Sequence, residues 1–180
     1  GSFIIGFFIG LAVISIYYNS PITSEGVDYN KDGIMDEQYI YKNDRLSRVE
    51  IDRNLDGRMD DVLHYDRNGI LIFSESDENL DGKLDTKVEF KYGQPVTQES
   101  DTNGDGYKNF RIIYADGRVD RIEFFSPETK RKIKIQQFGD FTLESSTVDK
   151  NNDGVMDAST QYDEIEEIKK TESAKFRSDE

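Results

Sequence analysis

The chain has no cysteine, no tryptophan, one histidine and three prolines. Without cysteine there is no disulfide framework, no thiolate metal site and no cysteine nucleophile. The single histidine, His64, excludes zinc centres built on several histidines and catalysis by a histidine pair. Positive charge is scarce too. Lys and Arg number 23 against 37 Asp and Glu, for a formal net charge of −14 over 180 residues. A nucleic-acid surface needs a basic footprint, so no nucleic-acid partner is expected. Apolar residues make up 35% of the chain and mean hydropathy is −0.74. That would suit a disordered chain, but 10 Tyr and 11 Phe argue against one, since disordered chains are poor in aromatics. No nucleophile–base arrangement, phosphate-binding glycine loop or dinucleotide fingerprint occurs. No catalytic residue is assigned, and an enzyme is not expected.

The first twenty-four residues carry no charged side chain. Phe3–Tyr18 is almost wholly apolar, and as a helix its sixteen residues reach roughly 24 Å. Flanking residues extend it toward the ~30 Å of a bilayer core. Tyr17 and Tyr18 fall where an interfacial aromatic belt would lie, and Pro21 ends the segment. Gly6 and Gly10 form a GxxxG pair through which two such helices can self-associate. Residues 1–20 thus read as a membrane anchor, with membrane contact through residues 3–18. A signal peptide and a buried core helix are the alternatives. Residues 21–27 read as a linker.

The remainder is periodic. The pattern D-x-N-x-D-G-x-x-D recurs at Asp28–Asp36, Asp52–Asp60, Asp77–Asp85, Asp101–Asn109 and Asp149–Asp157. The starts are separated by 24, 25, 24 and 48 residues. The last gap is two periods, so a degenerate copy begins near Phe125. Five residues after each loop stands an aromatic: Tyr41, Tyr65, Phe90, Tyr114 and Tyr162, with Phe138 in the degenerate copy. Residues 28–172 therefore read as six repeats, and 173–180 as a charged tail. The fifth repeat has lost its acidic loop and carries Lys130, Arg131 and Lys132 instead.

Between loops, apolar residues alternate with period two, as in Leu63 and Tyr65 against Val62 and His64. Turn dipeptides follow the aromatics: Asn43-Asp44, Asn68-Gly69, Tyr92-Gly93, Asp116-Gly117 and Gly139-Asp140. Each repeat thus reads as loop, strand, tight turn, strand. The fold expected is all-β: six hairpins in an antiparallel meander or solenoid, with the loops along one edge, preceded by one hydrophobic helix. The aromatic ladder is expected to be the core stripe. The period leaves open whether the sheet stays open, winds, or closes into a barrel or propeller.

Each loop sets Asp, Asn and Asp at positions 1, 3 and 5, Gly at 6, a backbone carbonyl at 7 and an acid or amide at 9. The ligand sets are Asp28, Asn30, Asp32, Ile34 and Asp36; Asp52, Asn54, Asp56, Arg58 and Asp60; Asp77, Asn79, Asp81, Lys83 and Asp85; Asp101, Asn103, Asp105, Tyr107 and Asn109; and Asp149, Asn151, Asp153, Val155 and Asp157. Ile34, Arg58, Lys83, Tyr107 and Val155 contribute only their carbonyls. Such hard oxygen sets suit Ca²⁺, and five ions would offset about ten charges of the chain. Plain acidic turns are the competing reading, since Asp, Asn and Gly are ordinary turn residues.

The spacing resembles calcium-loop proteins: the EF-hand loop, the dockerin loop, the thrombospondin type 3 repeat and the integrin-type propeller loops. It departs from the EF-hand at position 12, where a bidentate Glu is replaced by Tyr39, Leu63, Val88, Ile112 or Thr160. Glu50, Glu75 and Glu99 stand two residues before three of the loops. They are candidates for the missing carboxylate, with exposed strand-end glutamates as the alternative. The expected protein is a calcium-stiffened, membrane-anchored scaffold of the cell envelope or surface, with its repeats outside the cytoplasm. A protein- or glycan-binding module, an adhesin or subunit of a membrane complex that uses the sheet face or the basic fifth repeat, is the alternative.

Overall fold

Among the described residues, every strand but the first and last pairs with the strands before and after it in sequence. The computed structural model describes residues 22–140, 142–163 and 168–173. They form one sheet of thirteen antiparallel strands whose spatial order is the order of the chain. The strands are β1 (Ile22–Val27), β2 (Glu37–Lys42), β3 (Arg45–Ile51), β4 (Asp61–Tyr65), β5 (Leu71–Ser76), β6 (Thr86–Lys91) and β7 (Gln94–Ser100). They continue as β8 (Phe110–Ala115), β9 (Arg118–Phe125), β10 (Lys132–Phe138), β11 (Leu143–Val148), β12 (Ala158–Tyr162) and β13 (Ile168–Ser173). The sheet is open, with β1 and β13 at its two ends. At ~4.8 Å per strand it is about 58 Å across.

One expectation needs correction and one lies beyond the described residues. The described residues contain no helix, and none therefore long and apolar enough to cross a membrane. The helix expected over residues 3–18 lies outside the described residues. The linker expected at 21–27 is mostly strand: residues 22–27 are β1, paired in register with Lys42 back to Glu37. The physical reason lies in the first loop. Asp36 donates its N–H to the Val27 carbonyl at 2.9 Å, so this loop, like the others, needs a strand on each side to close its base.

Tight turns join the hairpins on the edge away from the loops. Asn43-Asp44, Tyr92-Gly93 and Asp116-Gly117 have both residues at positive φ, as a two-residue hairpin turn requires. At Asn68-Gly69 only Gly69 is left-handed, because the turn there is longer and starts at Asp66. Just past the middle of every hairpin the register slips by one residue. The slip falls immediately before Tyr41, Tyr65, Phe90, Tyr114, Phe138 and Tyr162. The extra residues, on the returning strands, are Ser47, Ile72, Val96, Asp120, Glu144 and Lys169. A bulge bends its strand and strengthens the right-handed twist, so one bulge in each of these hairpins adds to the coiling of the sheet, and the β9–β10 pair carries one more, at Ile133.

The aromatic ladder is not a core stripe. It is half-buried throughout, and among the described residues the buried apolar ones are Val49 and Val62. A single layer has no second layer to cover its faces. Buried polar side chains are more numerous and include Asp36, Asp52, Asp60, Asp77, Asp101, Glu123 and Asp149. One face carries the cross-strand row Tyr39, Val49, Leu63, Ser74, Val88, Gln98, Ile112 and Ile122, with polar residues at Ser74 and Gln98. The other carries Glu75, Lys87, Glu99, Arg111 and Glu123 opposite one another on five successive strands. Alternating charge across strands stabilises neighbouring pairs by about 0.2–1 kcal/mol each.

Candidate metal centres

The five acidic loops fall on one edge of the sheet and share one conformation. Gly at position 6 is left-handed in all of them, with φ of 93° at Gly33, 86° at Gly57, 88° at Gly82, 86° at Gly106 and 96° at Gly154. Position 4 is also left-handed, and is Lys31, Leu55, Leu80, Gly104 or Asn152. Two such residues turn the chain sharply enough that side-chain oxygens face its own amides.

The position-1 carboxylates accept from the N–H of position 6: Gly33 to Asp28 at 2.9 Å, Gly57 to Asp52 at 2.7 Å, Gly82 to Asp77 at 2.6 Å, Gly106 to Asp101 at 2.6 Å and Gly154 to Asp149 at 2.7 Å. Position 3 accepts from the N–H of position 5 at Asn30, Asn54, Asn79 and Asn151. Position 5 accepts from the N–H of position 7 at Asp32, Asp56, Asp81, Asp105 and Asp153. Position 9 closes each loop by accepting the N–H of position 2: Tyr29 to Asp36, Arg53 to Asp60, Glu78 to Asp85, Thr102 to Asn109 and Lys150 to Asp157. Asn109 does this with its amide oxygen, so the neutral residue keeps the loop closed.

These N–H groups also set the charge state. Burial pushes the Asp77 carboxyl up, but the backbone N–H groups of Gly82, Asp81, Leu80 and Lys83 outweigh it and hold it below its ordinary value. Asp101 follows suit: burial raises it, while Gly106, Asn103, Gly104 and Asp105 bring it below. Both therefore stay ionised. An ionised carboxylate has about four lone-pair sites, and two or three are used by amides here. The donor set still fits a hard cation: anionic and amide oxygens at 1, 3, 5 and 9. The carboxylates are not gathered around one point, however. Among the described residues no group of three or more Asp, Glu, His or Cys side chains is close enough together to hold an ion.

Glu50, Glu75 and Glu99 sit on the sheet face, away from the loops' amide cradles. Their partners lie on the sheet: the Arg48 cation at 2.8 Å from Glu50, the His64 imidazole at 3.6 Å from Glu75 and the Arg111 cation at 2.6 Å from Glu99. These pairings account for the recurring glutamate without the loops. Glu123, in the same register, is 3% exposed and meets Arg111, Arg121 and Lys132. His64 is stacked on Phe73 with centroids 3.9 Å apart. Burial pushes its pKa down, against the pull of Glu75.

Sequence reasoning missed the contacts between successive loops. The N–H of position 1 donates to the position-9 carbonyl of the loop before: Asp52 to Asp36, Asp77 to Asp60 and Asp101 to Asp85, all at 2.7–2.8 Å. At the first two junctions the side chain at position 7 lies over the Gly of the next loop, whereas Gly106 has nothing within 4 Å of a Cβ. A Cβ on Gly57 would meet Ile34 at 3.3 Å, and one on Gly82 would meet Arg58 at 2.7 Å. Cations bridge as well, with Arg53 reaching the Asp77 carbonyl and Lys108 the Asp85 carbonyl. The only signal for this in the sequence is the 24-residue period, which puts equivalent positions side by side.

No protein-family model and no curated protein is matched by the chain. Among solved structures it is similar to one described as accessory secretory protein 1, 2 and 3 in Streptococcus pneumoniae. The two are 18% identical with a TM-score of 0.41, over 57% of this chain and 20% of that one. The chain thus spans about a fifth of that neighbour's length, and a likeness at this level carries neither a function nor a site.

Proposed function

We propose that this is a calcium-binding scaffold of the cell envelope or surface, in which Ca²⁺ at the five acidic loops stiffens an open sheet. The observation that carries the reading is the repetition of one loop conformation five times along one edge. Ordinary turns need no acid at position 5, where the Asp is exposed in every loop and accepts the N–H of position 7 and, in three loops, the position-3 side-chain amide, bonds that leave its charge unmatched in all loops but the fourth, where Lys130 lies near. Exposed carboxylates stacked at one edge repel one another, and a divalent ion removes that cost. Ca²⁺ suits the set better than Mg²⁺, which demands stricter geometry and keeps its water.

Without a position-12 Glu, affinities of ~10⁻⁴ to 10⁻³ M are expected. At ~1 mM Ca²⁺ and a Kd near 100 μM, each site contributes about 1.4 kcal/mol. Five give about 7 kcal/mol, comparable with the ~5–15 kcal/mol of a whole domain. Sites this weak fill only outside the cytoplasm. An anchor through residues 3–18, self-associating through Gly6 and Gly10, belongs to the same proposal. The test is calorimetric titration of the full chain in mild detergent with parallel thermal melts. About five weak sites and a melt that climbs with calcium are expected; no heat and a melt indifferent to chelator would sink the reading.

A second reading, a protein- or glycan-binding module, is favoured by the half-exposed aromatic row on one face. Oligosaccharides that change tyrosine fluorescence would favour it over a spacer. The basic fifth repeat does not support it, because Lys130, Arg131 and Lys132 already have partners within the molecule.

A further inference from the structure

The fifth repeat keeps a loop on the same edge, but a shorter one without acids at positions 1, 3, 5 and 9: position 4, Glu128, is not left-handed, and the flanking strands already pair at Phe125 and Lys132. Lys130 occupies the position of the glycine and, like it, has a positive φ, of 61°. Arg131 occupies position 7. The loop is held by its own backbone, with Ser126 donating its N–H to the Arg131 carbonyl and Lys130 donating to that of Ser126. From this base two cations reach in opposite directions.

Toward the fourth repeat, the Lys130 ammonium lies 3.6 Å from Asp105 Oδ2 and 3.9 Å from the centre of the Tyr107 ring. The Tyr107 hydroxyl donates back to the Lys130 carbonyl at 3.3 Å. Toward the sixth repeat, Arg131 Nη1 donates to the carbonyls of Asn152 at 3.2 Å and Asp153 at 2.9 Å. Its stem lies 3.6 Å from where a Cβ on Gly154 would be. Thr129 Oγ1 donates to Asn152 Oδ1 at 2.7 Å, and Asn152 Nδ2 donates to Ser126 Oγ at 3.1 Å. Ser126 is itself buried. Of the described cations, these are the two that one loop sends to both of its neighbours. Arg53 and Lys108 each bridge only one junction.

We propose that the fifth loop is a built-in cationic clamp that locks the loops of repeats four and six together without any metal. Its side chains supply positive charge at the place in the edge where a metal-binding loop is missing. The C-terminal half is then ordered by the chain itself, whatever the calcium concentration. The proposal stands on the contacts of Thr129, Lys130 and Arg131 and does not depend on calcium binding elsewhere.

The experiment is hydrogen exchange of the full chain in chelator, read by mass spectrometry, for the wild type and for Lys130→Gln/Arg131→Gln. In the wild type, the amides of residues 104–107 and 152–155 should exchange about tenfold more slowly than their equivalents at 31–34 and 55–58. In the double variant they should speed up about tenfold while residues 31–34 and 55–58 stay unchanged. Lys130→Arg/Arg131→Lys, which keeps both charges, should retain most of the protection and guards against a folding defect. Equal exchange of all four segments in wild-type protein overturns the clamp, and so does a double variant indistinguishable from wild type. A final arm adds calcium. If the clamp is seen but calcium slows no loop, the calcium reading fails alone.

Discussion

Asp56 separates the two roles of a loop aspartate. Its Oδ1 accepts the Arg58 N–H at 2.9 Å, which an asparagine oxygen can also do. Its Oδ2 accepts the Asn54 side-chain amide at 3.1 Å, which the NH₂ of an asparagine cannot do, and its charge serves a cation. Asp56→Asn should therefore cost the chelated protein that one exposed hydrogen bond, about 0.5–1.5 kcal/mol, and in addition weaken calcium at one of the five proposed sites by about tenfold. Equal loss in chelator and in calcium would mean that the loop is a turn and nothing more. Asp66 serves as a control away from the loops. The Ile70 N–H and the Asn68 backbone and side-chain amides hold its carboxyl below the usual value. A depressed carboxyl contributes stability that is complete above its unfolded pKa of ~3.9 and is lost as pH falls through the lower folded value. The amide shifts of Asn68 and Ile70 should therefore move only below about pH 3.9. Movement near neutral pH would contradict the hydrogen bonds described.

At the level of the hairpin, loop and turn chemistry were legible in the sequence because each is written in a few adjacent residues. Gly57 or Gly117 needs its own φ and little else. The bulges were not legible, since the extra residue, such as Ser47 or Glu144, lies on the returning strand and is not marked by type. Nor were the partners of Glu75 and Glu99, which lie in neighbouring strands; Arg48, the partner of Glu50, stands two residues before it on β3. The aromatic ladder was misread as core because period-two alternation reports which residues share a face, not whether anything covers that face. The same turns yield a prediction. Tyr92 is 87% exposed and has a φ of 53°, a conformation that costs an ordinary side chain about 1–2 kcal/mol. Asparagine tolerates it better, so Tyr92→Asn should raise stability by about 0.5–1 kcal/mol, read from urea denaturation.

For the molecule as a whole, nearest-neighbour pairing decides the thermodynamics. All element contacts join consecutive strands, from β1 with β2 to β12 with β13. Stability is then close to a sum over repeats and their junctions. Unfolding should be broad, with a calorimetric enthalpy larger than the van't Hoff value. A chain ending at Val148, and so lacking β12 and β13, should keep the circular dichroism of the remaining strands. A sharp two-state transition lost entirely on that truncation would show a hidden long-range dependence. Whether the sheet was open or closed could not be read from the repeat, because closure depends on twist summed over thirteen strands and not on any one of them.

The serial order of the strands also fixes how the protein bears load. The two ends of the chain's sheet lie at opposite ends of a row of strands that run across the line joining them. Tension between those ends would peel backbone hydrogen bonds one after another, as a zipper opens, and would not shear a whole ladder at once. Each hairpin that gives way releases about 24 residues of slack and leaves the next one intact. The array would behave as a shock absorber that yields in small reversible steps, and its stiffest portion would be the one bound by the fifth loop.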